Sequence, residues 1–374
     1  MNKIAIIHFS PLELYPPVQN FLNLIADQGD KKKLLVFTTA PNNSTLDTFL
    51  SPAAHISIIR IGRSGGQIGS LKRYFNYMHF YSVCLLKLII TRPKKVLYYE
   101  TISSYPAYLY KKIFNTKAHI LVHYHEYTAP DEYTLGMKLT RYFHHCEKWL
   151  YPKLSWISHT NEYRMQKFKE DIFPVKVCND HIVPNYPPAA WQASFKTTMG
   201  VPVKIVYAGA LGMDTMFTAT FANWVIAQKG KVCWDIYSYN ITHEAKRFIK
   251  ELVTDFINLK PAVNYNALPE ILSKYDVGVI LYNGHILNYV YNQPNKLFEY
   301  LSGGLDVWFP DVMTGSLSLV TAQSWPKIVA LDFSAFENYH LEELLSRENC
   351  VQKKYSFYCE IALKEMYKEF ILQK

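Results

Sequence analysis

Three groups of residues have the types and spacing to do chemistry. Asn295, Glu299 and Ser302 fall together on one face of a short helical segment, while Leu297 and Leu301 fall on another. A carboxylate on the polar face of a short helix behind a loop can accept hydrogen bonds from paired sugar hydroxyls. The competing reading is a helix with one solvated glutamate. In the second group, Leu121-Val122-His123-Tyr124-His125-Glu126-Tyr127, strand alternation puts His123 and His125 on one side and Tyr124 and Glu126 on the other. A histidine or glutamate at a strand end can take a proton from an attacking hydroxyl, hydrogen-bond to developing charge, or simply make a structural hydrogen bond. Alternating side chains do not converge, so no metal is expected on His123, His125 and Glu126. The third group is cationic and aromatic: Arg63, Lys72, Arg73, Lys87, Arg92, Lys94 and Lys95 with Tyr74, Phe75, Tyr77, Phe80 and Tyr81. A basic amphipathic helix of this kind could rest on anionic lipid; an ordinary helix packed on a sheet is the alternative, preferred for residues 83–90.

Strands alternating with helices must position these groups, the pattern of a doubly wound parallel sheet. Strands are expected at residues 4–9, 34–38, 56–61, 96–99, 118–123 and 156–159, with helices at 18–28, 71–90, 105–114, 135–150 and 162–169. Glu100 ends one strand and is expected to cap the helix starting near Tyr105. Three prolines in Val183-Pro184-Asn185-Tyr186-Pro187-Pro188 forbid helix and central strand alike. A second alternation follows, with strands at 204–208, 232–237, 277–281, 305–309 and 328–331 and helices at 216–228, 243–259, 268–274 and 294–302. Pro294 is expected at the first position of the last of these, and the pair Gly303-Gly304 at its end. The expected division is residues 1–185, a linker at 186–200, a second domain at 201–355, and a C-terminal helix at 356–374 that could return to the first domain. A cleft facing the carboxyl ends of both sheets is where a ligand is expected.

Composition agrees with this plan. At 374 residues, two domains are the default. With 49% hydrophobic and 19% charged residues, disorder is excluded. The net charge of +9 favours an anionic partner. No nucleic-acid module accompanies it, which leaves a phosphorylated small molecule or an acidic membrane surface. Six scattered cysteines fit a reduced, cytoplasmic compartment. No apolar run approaches the ~20 residues of a spanning helix, so a soluble or peripheral protein is expected.

The order of three stretches resembles the two-domain GT-B glycosyltransferases, family 4 in particular. They are His181-Ile182-Val183-Pro184-Asn185-Tyr186-Pro187, Leu268-Pro269-Glu270-Ile271-Leu272-Ser273-Lys274-Tyr275-Asp276-Val277-Gly278-Val279, and Pro294-Asn295-Lys296-Leu297-Phe298-Glu299-Tyr300-Leu301-Ser302-Gly303-Gly304. The resemblance covers nearly the whole chain and implies two Rossmann-like domains facing a cleft. It implies a hexosyltransferase-type enzyme using a nucleoside-diphosphate sugar as substrate, with no cofactor or metal, and a glycan or lipid-linked acceptor. Glu299 would then accept from the donor ribose, with Pro294, Asn295 and Lys296 near the sugar and diphosphate and Asn266 near the nucleobase. Gly209 and Gly212 would let main-chain N–H groups approach a phosphate. His125, followed by Glu126, would face the donor sugar. Arg63, Lys72 and Arg73 would serve the acceptor or the membrane surface.

The chain also departs from that pattern. The family's first glutamate falls on Tyr291, eight residues before Glu299. Its Arg/Lys clamp after the glycine turn is replaced by Met213-Asp214-Thr215-Met216, with Lys296 or Arg63 as substitutes. A nucleotide-sugar 2-epimerase and a transferase-like binding module without catalysis are the alternatives. A dinucleotide dehydrogenase is disfavoured, since His8-Phe9-Ser10-Pro11 follows the first strand in place of G-x-G-x-x-G.

Overall fold

The computed structural model describes residues 3–42, 47–64, 70–136, 138–193, 199–252, 254–321, 323–348 and 350–373. Residues 65–69 of the basic loop and 194–198 of the expected linker lie outside the described residues. The chain divides into two units, Met1–Asn185 with Cys359–Lys374, and Tyr186–Tyr358.

Unit 1 carries strands β1 (Lys3–Ile7), β2 (Lys33–Pro41), β3 (Ile56–Ser64), β4 (Lys95–Tyr99), β5 (His119–Tyr124), β6 (Trp156–His159) and β7 (Asp180–Ile182), in the order β3-β2-β1-β4-β5-β6-β7. Unit 2 carries β8 (Val203–Ala208), β9 (Val232–Tyr237), β10 (Ile257–Lys260), β11 (Val277–Val279) and β12 (Asp306–Pro310), in the order β10-β9-β8-β11-β12, with Ile328–Leu331 beyond β12. Every pair in both sheets is parallel. Parallel strands need crossovers. In unit 1 these include the helices α1 (Pro16–Asp27), α2 (Ser70–Thr91), α3 (Ser104–Leu109), α4 (Pro130–Leu135), α5 (Lys138–Lys148) and α6 (Glu162–Asp171). In unit 2 they include α7 (Thr218–Ala227), α8 (His243–Glu251), α9 (Leu268–Leu272), α10 (Leu287–Val290) and α11 (Asn295–Ser302). Each unit has its own apolar core. The strand order reverses at β1/β4 and at β8/β11, so each sheet has a switch point where adjacent loops leave toward opposite faces. This is the two-domain, Rossmann-like GT-B fold expected from the sequence.

Several elements differ from expectation. Residues 243–259 are not one helix: α8 ends at Glu251 and Ile257–Lys260 forms the edge strand β10. The expected helix 135–150 begins at Lys138, and a separate short helix, Pro130–Leu135, precedes it with Glu132 accepting from the Ala129 N–H at 3.2 Å. Pro294 is the N-cap of α11, with Asn295 the first helical residue. At the other end, Leu305 N–H reaches the Tyr300 carbonyl and Gly304 N–H the Leu301 carbonyl, both at 3.0 Å. That is a Schellman closure, with Gly304 in the left-handed conformation at φ +80°. In α2, Tyr77, Phe80 and Tyr81 are core residues rather than surface aromatics. Leu86 and Ile90, in the stretch expected to be buried, are exposed, as are Leu71, Tyr74, Phe75 and Met78.

Candidate functional site

In unit 2 the chemistry gathers at the carboxyl end of β8. Lys296, in the first turn of α11, extends its side chain over Gly209, the first residue beyond β8. Gly209 has φ +141°, and a Cβ there would lie 2.5 Å from Lys296 Cε and 2.7 Å from Nζ. Gly209 is thus the residue that leaves room for the lysine. The ammonium donates to the Tyr282 hydroxyl at 3.2 Å and lies 5.6 and 5.5 Å from the Tyr207 and Tyr282 ring centroids. Tyr282 follows β11, so Lys296 lies between the ends of the two strands that flank the switch point.

Glu299 follows on the same helix. It is buried, with relative exposure of 7%, and sits within range of the Lys296 charge. Burial raises its pKa to about 7, against the nearby Lys296 charge, which lowers it. Leu297, Phe298, Tyr300 and Leu301 anchor the helix in the core, and the Tyr300 hydroxyl accepts from the Ala208 N–H at 2.9 Å, tying α11 to the end of β8.

The glycine turn departs from its expected role. The Gly209 N–H donates to the Tyr237 carbonyl at 2.9 Å and the Gly212 N–H to Met216 Sδ at 3.4 Å, so neither is free for a phosphate. A Cβ on Gly212 would meet only ordinary contacts, at 3.5 and 3.8 Å. Asp214, where the family clamp is absent, uses its carbonyl to accept from Asn283 Nδ2 at 2.8 Å. Asn266 is exposed in a single turn after β10, beside Tyr265, whose ring lies 4.5 Å from that of Trp191. Pro294 is buried and Asn295 half-buried.

In unit 1, residues at the same edge of the sheet form a histidine cluster. His8 follows β1, His123 and His125 close β5, and His159 ends β6; all four are buried. His125 lies parallel to Tyr99 at 5.1 Å and edge-on to His123 at 4.5 Å. Its Nδ1 pairs with Asn185 Oδ1 at 3.1 Å, while Nε2 is buried without a partner among the described residues. Its peptide is gripped from both sides: Glu100 accepts from the His125 N–H and Arg164 donates to the His125 carbonyl, both at 2.6 Å. Glu100 does not cap a helix as expected. Its backbone has φ +62°, a costly conformation for glutamate, and burial raises its carboxyl to about 8. Burial lowers His125 to about 4, with Arg164 adding to the effect and the Asn185 bond opposing it. Burial likewise lowers His8 and His159 to about 3, and His123 well below the usual range.

Glu126, by contrast, is exposed and lines a cavity on the other face of β5. The structure therefore separates the two residues expected to do catalysis. Arg63, at the end of the edge strand β3, reaches the Asn42 carbonyl at 3.4 Å; Lys72 is exposed and Arg73 half-buried on α2. Sequence reasoning missed His8, Asn185 and Arg164 as members of this constellation. The one available signal was that His8 and His125 each stand just past the end of a strand.

No protein-family model matches the chain, and no curated protein matches it in sequence. Solved structures do share its fold. A sucrose-phosphate synthase from Thermosynechococcus elongatus aligns with TM-score 0.63 at 14% identity, covering 99% of this chain and 95% of that one. The lipopolysaccharide outer core galactosyltransferase WaaB, in apo form, aligns with TM-score 0.58 at 13% identity, over 99% and 96%. The UDP-GlcNAc 2-epimerase from Neisseria meningitidis, bound to UDP-GlcNAc, aligns with TM-score 0.60 at 11% identity, over the whole of both chains. Among the described residues, no helix is long and apolar enough to cross a membrane, and no cluster of three or more His, Cys, Asp or Glu could hold a metal ion.

Proposed function

We propose that this chain is a glycosyltransferase of the hexosyltransferase type, moving a sugar from a nucleoside-diphosphate sugar to a glycan or lipid-linked acceptor in cell-surface polysaccharide assembly. The observation that carries the proposal is the Lys296 ammonium at the β8/β11 switch point, lying over Gly209, with the buried Glu299 carboxylate on the same helix. A cation there offsets diphosphate charge in place of the Arg/Lys pair this chain lacks, and a carboxylate there accepts from ribose hydroxyls. Pro294, Asn295 and Asn266 complete the donor side of the reading, and Gly209 contributes by leaving room for Lys296 rather than through its N–H, which like that of Gly212 is already bonded. Of the two catalytic candidates, His125 is neutral at pH 7 and acts as a fixed hydrogen-bonding group. The exposed Glu126 is the one able to take the acceptor proton.

A nucleoside diphosphate panel in a thermal-shift assay tests this. One member should stabilise the protein and Glu299→Ala should lose most of that shift, since truncation removes acceptors worth about 1.5–3 kcal/mol for charged hydrogen bonds. In wild type, affinity should fall as pH drops through about 7, because protonation of Glu299 removes the charge that the ribose hydroxyls meet. An unchanged shift in the alanine variant would remove Glu299 from the site. A 2-epimerase is the second reading, favoured by the whole-chain alignment to the UDP-GlcNAc-bound enzyme. Turnover of donor with no acceptor present would establish it instead.

The proposed enzyme works at the cytoplasmic face of a membrane. Arg63, Lys72 and Arg73 flank exposed Leu71, Tyr74, Phe75 and Met78, a basic and apolar surface suited to anionic lipid. Replacing all three cations by alanine should weaken sedimentation with anionic vesicles by on the order of tenfold or more, at about 1 kcal/mol per basic residue. Equal binding of the wild type to neutral vesicles would count against membrane contact through these charges.

A further inference from the structure

The amino-terminal edge of the unit-1 sheet, opposite the histidine cluster, is basic. The adjacent strands β2, β1, β4 and β5 open on Lys33, Lys3, Lys95 and His119, with Lys33 level with Lys3 and His119 level with Lys95. A cavity of about 420 Å³ lies at this edge, lined by Lys32, Lys94, Lys95, Lys117 and His119 and, among the described residues, by no Asp or Glu. Lys32 and Lys95 each donate to a carbonyl of the C-terminal segment, those of Ile371 and Glu369. An ammonium has three donors, so neither is exhausted by that bond. The nearest carboxylates are Asp30, 3.7 Å from Lys32, and Glu369, whose charge acts on Lys95. Burial holds the Lys95 ammonium below the ordinary lysine range, with Glu369 opposing the effect and the neighbouring Lys32 adding to it. Lys94 and Lys117 are exposed and form no ion pair among the described residues.

A cation beside a helix C-terminus offsets the helix dipole, but that effect fades beyond the last turn. Lys32, Lys94 and Lys117 stand five, three and three residues past the helical segments that end at Asp27, Thr91 and Phe114, so the dipoles account for little of the cluster. Like charges gathered in one concavity repel each other, and a multiply charged anion turns that repulsion into charge-assisted hydrogen bonds. We infer that this cavity is a binding site for a small polyanion of the phosphoryl class, an oligophosphate held by Lys32, Lys94, Lys95 and Lys117. Its volume falls within the usual range of ligand pockets. A longer anion engages more of the four cations than a single phosphate does, so affinity rises with the number of phosphoryl groups. Lys32 and Lys95 also hold the C-terminal segment, so an occupied site ties residues 359–374 more firmly to the rest of unit 1. The site is independent of the donor reading, whose cation is Lys296.

The test is calorimetric titration of the full chain, at fixed ionic strength, with orthophosphate, sulfate, pyrophosphate and tripolyphosphate. Tripolyphosphate should bind at one site, about tenfold or more tighter than orthophosphate or sulfate. Lys296→Ala, which removes the donor-site cation, should keep that affinity within about twofold, whereas Lys94→Gln with Lys117→Gln should lower it by about tenfold or more. Both lysines are exposed, so the double variant should melt at the wild-type temperature without ligand, which shows that it still folds. In the wild type, tripolyphosphate should also slow amide hydrogen exchange in residues 368–373, and in the double variant it should not. Equal affinity for tripolyphosphate and orthophosphate, loss of binding in Lys296→Ala, or unchanged binding in the double variant overturns the assignment. So does a double variant that loses sedimentation with phosphatidylserine vesicles when the wild type gives no heat with tripolyphosphate, since the cluster would then be a lipid surface.

Discussion

Gly209→Ala should weaken nucleoside diphosphate binding as much as Lys296→Ala does, and the two together should cost little more than either alone. The added Cβ would occupy the space of Lys296 Cε and Nζ. A lysine side chain can swing away, so the fold should survive, with backbone strain of about 1–3 kcal/mol from the positive φ. The lysine cannot, however, keep its ammonium at the switch point. Loss of a charge-assisted contact of about 2–3 kcal/mol corresponds to a fall in affinity of roughly 30- to 150-fold. Gly212→Ala is the matched control: its Cβ meets ordinary contacts and its φ is not positive, so binding should be nearly unchanged. Calorimetric titration of the four variants with the nucleotide selected by the panel decides the matter. Strictly additive losses in the double variant would show that Gly209 and Lys296 do not act through one another.

The second large effect is acid lability of unit 1. His8, His123, His125 and His159 are held neutral by burial, with pKa values near 3 for His8 and His159 and near 4 for His125. Unfolded, each takes a proton near pH 6.5. Between about pH 6.5 and 4 the unfolded chain therefore binds more protons, and stability falls as pH falls through that window. A two-unit shift is worth about 3 kcal/mol, so two such groups together offset about 6 kcal/mol, the low end of a typical stability of about 5–15 kcal/mol. Glu100 acts with the opposite sign: its carboxyl, raised to about 8, costs stability at high pH and relieves that cost on acidification. Asp171, whose carboxyl burial also raises, acts in the same sense as Glu100, and two carboxyls against four imidazoles leave the net direction unchanged. Circular dichroism against pH should show a steep loss between about 6 and 4, and His8→Gln should move its midpoint to lower pH. A flat profile down to pH 4, or an unmoved midpoint in His8→Gln, would contradict it.

What could be read from the sequence follows the range of the interactions involved. The α/β rhythm and the double winding were legible because hydrophobic periodicity is local. So was α11, whose limits are written in Pro294 and the Gly303-Gly304 pair. The β10 strand was not, since Ile257-Asn258-Leu259 continues a helical spacing begun in α8 and nothing local marks the break. The lysine over Gly209 joins residues far apart in the chain, and no spacing rule brings them together. Glu100 was misassigned for the same reason: a carboxylate before Thr101-Ile102-Ser103-Ser104 looks like a local cap, yet its partner is the His125 amide across the sheet.

The division of the chain has a consequence for its synthesis. Residues 359–374 belong with residues 1–185; among them Phe370 lies 6.2 Å from Phe21, and Lys32 and Lys95 donate to the carbonyls of Ile371 and Glu369. Unit 2, from 186 to 358, is contiguous, whereas unit 1 waits for a segment made after it. A nascent chain leaving the ribosome can mature its later-made unit while the earlier one still lacks the stretch that covers Phe21, inverting the usual N-to-C order of domain completion.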